Sequence, residues 1–246
     1  MIKFFRKIRQ RLQTENKVSK YLLYAIGEIV LVVVGILIAL QINNWNNDRL
    51  NKVLIRSYAK EVSQDLNKDI ALMDEAIKAY EGFIAIKEWG LKKKTFTVFQ
   101  KDSIIMYTTT NYREHKLTNQ TFEKIKNSGI SEFYQYKDLF DTINNYYTVH
   151  YSRYNNWIEW DASWTTKEFE YWLRPNANYE FNAGNDFPLI KSEDKNSNDL
   201  IKEITAPTGR NLMIFSYYRK TTLISEFNKM KILASELVNR INTDIK

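Results

Sequence analysis

Hydrophobic and polar positions follow three regimes along this chain. From Leu22 to Ile42 the run is almost wholly apolar or small, interrupted by Glu28 and Gln41. As a helix these 21 residues span about 31 Å, the thickness of a bilayer core. Tyr21 and Tyr24 stand at one end and Trp45 at the other, where interfacial aromatics belong. After Trp45 the pattern turns helical: Leu54, Tyr58, Val62, Leu66, Ile70, Met73, Ile77, Tyr80 and Ile84. From Leu66 the steps are 4, 3, 4, 3, 4, a heptad seam that Gly90 is expected to end. The run Asn43–Asn47 offers a hinge before it, because Asn competes for backbone hydrogen bonds.

The third regime is mixed. Thr95 to Phe99 alternates like a short strand, and Asp102 to Tyr107 fits one helical turn. A short helix is expected over 119–128, closed by Gly129. A longer one starts at Ser131, breaks near Asn155-Asn156 and stops before Pro175. All three prolines fall in 175–207, an irregular excursion with room for a helix over 197–205. The last helix begins near Gly209, with a stripe of Leu223, Phe227, Met230, Ala234, Leu237 and Ile241. This second seam either returns antiparallel along the first, or leaves the first to a parallel coiled coil between protomers. The expected fold is all-α: one N-terminal transmembrane helix followed by an elongated extracytoplasmic helical bundle. The segments are 1–20, a basic tail; 21–43, the span; and 44–246, the body.

Charge supports this division. The net charge of +7 suggests nucleic acid until it is located. Residues 1–20 hold seven basic side chains against Glu15, whereas the remaining 226 residues are nearly neutral. The body therefore lacks the basic footprint of a nucleic-acid-binding domain. By the positive-inside rule the tail is cytoplasmic and the body lies outside, in the periplasm. Lys3, Arg6, Lys7, Arg9 and Arg11 alternate with Phe5, Ile8 and Leu12, as in a short helix lying on anionic lipid. A cleaved signal peptide fits poorly, since no small-x-small site precedes Asn43.

The runs Met1-Ile2-Lys3-Phe4-Phe5-Arg6-Lys7-Ile8-Arg9, Tyr24-Ala25-Ile26-Gly27-Glu28-Ile29 and Gly35-Ile36-Leu37-Ile38-Ala39-Leu40-Gln41-Ile42-Asn43-Asn44-Trp45 resemble a bacterial family of single-pass proteins of unknown function. The resemblance covers residues 1–50 and implies a Gram-negative inner-membrane protein with nothing catalytic.

Glu28 is an ionisable group inside the span, which marks a functional position by default. Helical spacing sets it on one face with Ala25, Gly35 and Ala39. Gly35-x-x-x-Ala39 is a small-xxx-small pair, so this face predicts helix–helix association and a homo-oligomer. An alternative makes the chain a subunit of an ion-motive or signal-input complex in which Glu28 acts. Glu28→Gln separates the two, since it spares a scaffold and abolishes an ion path.

The body offers little reaction chemistry. There is no Cys, and only two His, 35 residues apart. No metal centre, cofactor site or catalytic group is expected. Glu159, Asp161, Glu168 and Glu170 read as solvated helix charges. Residues 133–181 contain 16 aromatics, among them Trp157, Trp160 and Trp164 on one helix face. Such stripes serve as core or as anchors for a protein partner. The expected role is a non-enzymatic membrane-anchored scaffold or accessory subunit.

Overall fold

The computed structural model describes residues 18–112, 115–173, 178–180 and 187–245, with side chains from residue 22 onward. The basic tail, including Lys3, Arg6, Lys7, Arg9 and Arg11, lies outside the described residues. The described residues are mostly helical and contain no strand. The chain divides into two units, Met1–Ile55 and Arg56–Lys246.

Helix α1 covers Val18–Leu91, and its helical geometry runs through Asn43–Asn47 without a break. Within the first unit the side chains of Ile29 to Leu40 are all exposed. Its most apolar window has a mean hydropathy of 2.7 and no buried residue, so this helix is long and apolar enough to cross a membrane.

The second unit is built on three rods. The first is α1 from Arg56 onward. The second consists of α4 (Lys137–Asn145), a π-helical turn over Tyr146–His150, and α5 (Tyr151–Leu173). The third is α7 (Pro207–Asp244), opened by Pro207 at its first position. Shorter helices α2 (Lys101–Thr108), α3 (Gln120–Lys126) and α6 (Glu193–Thr205) pack around them. Along α7, Lys231 pairs with Asp74 at 2.5 Å, Phe227 stacks on Tyr80 at 5.7 Å, and Met213 meets Lys87. Residue numbers thus fall along α7 as they rise along α1, the antiparallel arrangement. The second rod runs antiparallel to α7 too: Thr142 meets Arg240 at 2.6 Å, Arg153 meets Glu226 at 3.6 Å, and Trp164 meets Phe215 at 4.8 Å. The first seam is therefore filled from within the chain.

The α7 seam is buried from Leu223 to Ile241, as the spacing predicts. The same register extends back through Lys220, Ser216, Met213 and Gly209, all buried. On α1 the buried stripe runs through Val62, Leu66, Met73, Ala76 and Tyr80. It also includes Asp65, Asp69 and Lys87, while Ile70 is only half-buried.

Three local expectations are corrected. Thr95–Phe99 is not a strand: the Gln100 side chain takes the Thr97 N–H at 3.1 Å and starts a 3₁₀ turn over Val98–Gln100. The expected break at Asn155-Asn156 is absent, and the irregularity falls at the π turn. Gly90 lies within α1, which runs to Leu91; a Cβ there would sit 2.3 Å from the Tyr107 ring, so its role is close packing.

Candidate functional site

The predicted membrane face can be placed first. Ala25 and Glu28 are half-buried, and Gly35 and Ala39 are exposed. A Cβ added at Gly35 would meet nothing within 4 Å, so this part of α1 has open space where another helix backbone fits.

Trp157, Trp160 and Trp164 are half-buried on one face of α5. Trp157 meets Trp160 edge-on at 5.4 Å, and Trp160 and Trp164 both meet Phe215 of α7 edge-on. Lys167 lies over the Trp164 ring at 4.3 Å. The three indoles thus flank the α5–α7 seam, partly packed and partly open to solvent.

A cleft of about 630 Å³ lies between α2, the end of α5, α6 and the segment before α6. That volume suits a small ligand or a short chain segment, since ligand sites span roughly 300–1,000 Å³. Ile104, Trp172 and Leu200 form its buried base. Glu180 shapes one wall. Its carboxylate accepts the N–H groups of Ile190 at 2.8 Å and Lys191 at 2.7 Å, and these bonds hold its pKa below the usual carboxylate range. Asn196 accepts the Glu180 N–H and donates to the Glu180 carbonyl, at 2.6 and 3.0 Å. Lys101 pairs with Glu193 and Lys191 with Asp199, both at 3.1 Å. Thr108 and Thr109 donate to the Ile105 carbonyl, and Thr110 to Glu168, so these hydroxyls present lone pairs. The wall charges are paired or hydrogen-bonded, and the cleft suits an uncharged guest with both polar and apolar groups. Its lining comes from distant segments, and no sequence motif announces it.

Two buried polar layers interrupt the bundle seam. The first corrects the expectation of solvated charges, because Asp161 and Glu168 are buried. Glu168 accepts from Arg219, Asp161 accepts from Lys220 at 2.6 Å, and Arg219 also lies 3.4 Å from Asp161. Lys220 further donates to the Asn111 carbonyl at 2.7 Å. Lys87 donates to the carbonyls of Tyr107 and Thr109. Burial pushes Lys87 down to about 8, with Glu168 opposing and Lys220 and Arg219 reinforcing the shift. Burial likewise lowers Lys220, against the pull of Asp161. Glu159 and Glu170 are exposed, in keeping with the sequence reading.

The second layer surrounds Asp69, which is 0% exposed. One carboxylate oxygen accepts the Thr118 N–H at 2.9 Å, and the other has no hydrogen-bond partner. The hydroxyls of Tyr146, Tyr147 and Tyr154 are also buried without partners. Burial first, then the Asp69 charge, pushes all three phenols well above their ordinary range. Asp65, one turn away, accepts from Thr121 at 2.5 Å and pairs with Lys68 at 3.3 Å. Among the described residues no group of three or more His, Asp or Glu is placed to hold a metal ion.

The molecule is thus an all-α protein with one apolar helix long enough to cross a membrane and a three-rod helical body. More than half of the chain, residues 28–163, matches DUF6090, a family of unknown function, and the chain belongs to that family. The match starts inside the apolar helix and ends in α5, spanning both Asp69 and Asp161. No curated protein and no solved structure is significantly similar to it.

Proposed function

We propose that this protein is a non-enzymatic, single-pass scaffold or accessory subunit of the bacterial inner membrane. It self-associates through the Ala25, Glu28, Gly35 and Ala39 face and presents its helical body to a protein partner in the periplasm. The basic tail holds the cytoplasmic leaflet through anionic lipid. The observation that carries this reading is the open space beside Gly35 on an apolar stretch whose residues from Ile29 to Leu40 are all exposed. In lipid, close backbone approach at small residues drives helix pairing. In the body, the cleft with its paired wall charges and the half-open indoles of Trp157, Trp160 and Trp164 supply contact surface, aromatics being preferred interface anchors.

The test is the mass of the full-length protein extracted in mild detergent, wild type beside Gly35→Leu. The expected result is a discrete oligomer that Gly35→Leu loosens, since a bulky side chain blocks close approach. A monomeric wild type with no companion would sink the self-association reading.

A further inference from the structure

The Asp69 layer has features that a purely structural core would avoid. Buried polar atoms are almost always hydrogen-bonded. Here one carboxylate oxygen and three phenol hydroxyls lack partners, and Tyr147 stacks at 4.8 Å on Phe122, beside the Thr121 that bonds Asp65 one turn from Asp69. Two of those phenols, Tyr146 and Tyr147, lie in a π turn, and both rings face inward with centroids 5.0 Å apart. Single π turns inside α-helices concentrate at functional sites.

The charges facing Asp69 are few. On its own helix they are Asp65 and Lys68, and Lys68 is mostly exposed. The 115–121 segment brings the Thr118 N–H and the Thr121 hydroxyl, the latter bonded to Asp65. The second rod brings Tyr146, Tyr147, Tyr151 and Tyr154, and the π turn itself carries His150, 3.2 Å from the Asn145 side chain. The last helix contributes Met230, Ala234 and Leu237 to the core, none of them titratable; its Lys231 is engaged by Asp74. His115 is a near neighbour of this layer: its ring meets Tyr80 and Phe227, and Phe227 also meets Tyr154 at 5.6 Å.

We propose that Asp69 and the phenols of Tyr146, Tyr147 and Tyr154 form a buried proton-binding site through which the helical body responds to the pH around it. Below the transition Asp69 is a neutral acid, which a buried pocket without a cation tolerates. Above it the proton leaves for solvent, and the carboxylate must draw hydrogen bonds from the phenol hydroxyls or from entering water. Both demands fall on the π turn, which carries two of the hydroxyls. Proton occupancy thereby sets how Tyr146–His150 sits against α1. Burial, opposed by the Thr118 bonds and reinforced by the Asp65 charge, places the carboxyl at about 6. A periplasmic body would meet that range whenever the medium acidifies.

The test is NMR on the full-length protein in detergent, with ¹³C-labelled Asp carboxyl and Tyr ring carbons, from pH 4.5 to 8. Asp69 is expected to titrate near 6, well above a free carboxyl, and the ring signals of Tyr146, Tyr147 and Tyr154 to move with the same midpoint. Asp69→Asn should leave those tyrosine signals flat, whereas a change driven by His115, or by His150 within the π turn, would survive the substitution. Tyr147→Phe should shift the Asp69 midpoint, which keeps the test decisive should Asp69→Asn misfold. Titration of Asp69 near 4, or tyrosine signals that do not follow it, would overturn the proposal.

Discussion

The bundle seam is broken by polar groups twice, and the two breaks follow opposite rules. Around Arg219 and Lys220 each cation meets a carboxylate, with Asp161 and Glu168 supplied from the neighbouring rod. Around Asp69 the acid meets backbone, hydroxyl and aromatic groups, and its ion-paired neighbour Asp65 adds negative charge. At Arg219 and Lys220 the first layer is held by pairing, with Lys87 beside them on the carbonyls of Tyr107 and Thr109, so removing a carboxylate strands a cation. The second is held by staying neutral, so its carboxyl is displaced into the physiological range while its charge remains optional. Burial alone does not decide what an ionisable side chain does; the neighbour that arrives with it does.

The largest effect should come from breaking the paired layer. Asp161→Ala leaves Lys220 buried without its carboxylate and should destabilise the body by about 3–5 kcal/mol, read from denaturant unfolding of the full chain. The Asp69 layer should respond in the other direction. A carboxyl held at about 6 in the fold and at 3.8 when unfolded binds its proton more tightly in the folded state. Its stabilising contribution is complete below pH 3.8 and is lost as pH rises through 6. Asp69→Asn should therefore raise stability by about 1–3 kcal/mol at pH 8 and flatten the pH dependence between about 4 and 6. Loss of stability at pH 8 would mean that ionised Asp69 is well solvated by its neighbours, and the contrast between the layers would collapse. Smallest of all, Tyr147→Phe removes a hydroxyl without a partner while Asp69 is neutral and should change stability by about 1 kcal/mol or less, measured by thermal unfolding at pH 4.5.

The apolar helix and the Leu223–Ile241 stripe were legible in the sequence because periodic burial of apolar residues leaves a periodic trace. Lys220 and Ser216 continue that stripe in register but are polar, so the pattern stops at Leu223 when only apolar residues are followed. On α1 the apolar steps select Ile70, while the structure buries Asp69 beside it. Nothing local distinguishes a buried Asp from an exposed one on a helix; the phenols that surround it come from 77 or more positions away. Asp161 and Glu168 were read as solvated for the same reason, since their partners lie on another rod. The Trp157, Trp160 and Trp164 face could be found from spacing, whereas the cleft needs the Glu180–Asn196 hydrogen bonds that only the folded chain assembles.

The π turn also acts as a phase setter. It holds one residue more than an α-helical turn would, and an α-helix advances about 100° per residue. Were the same five residues wound as plain α-helix, everything beyond them would rotate by nearly that angle relative to α4. Asp161 and Glu168 would then swing off the line of Arg219 and Lys220, although the turn lies more than ten residues away. The surplus residue at Tyr146–His150 thus keeps the tyrosine pocket and the ion-paired layer in step along one rod.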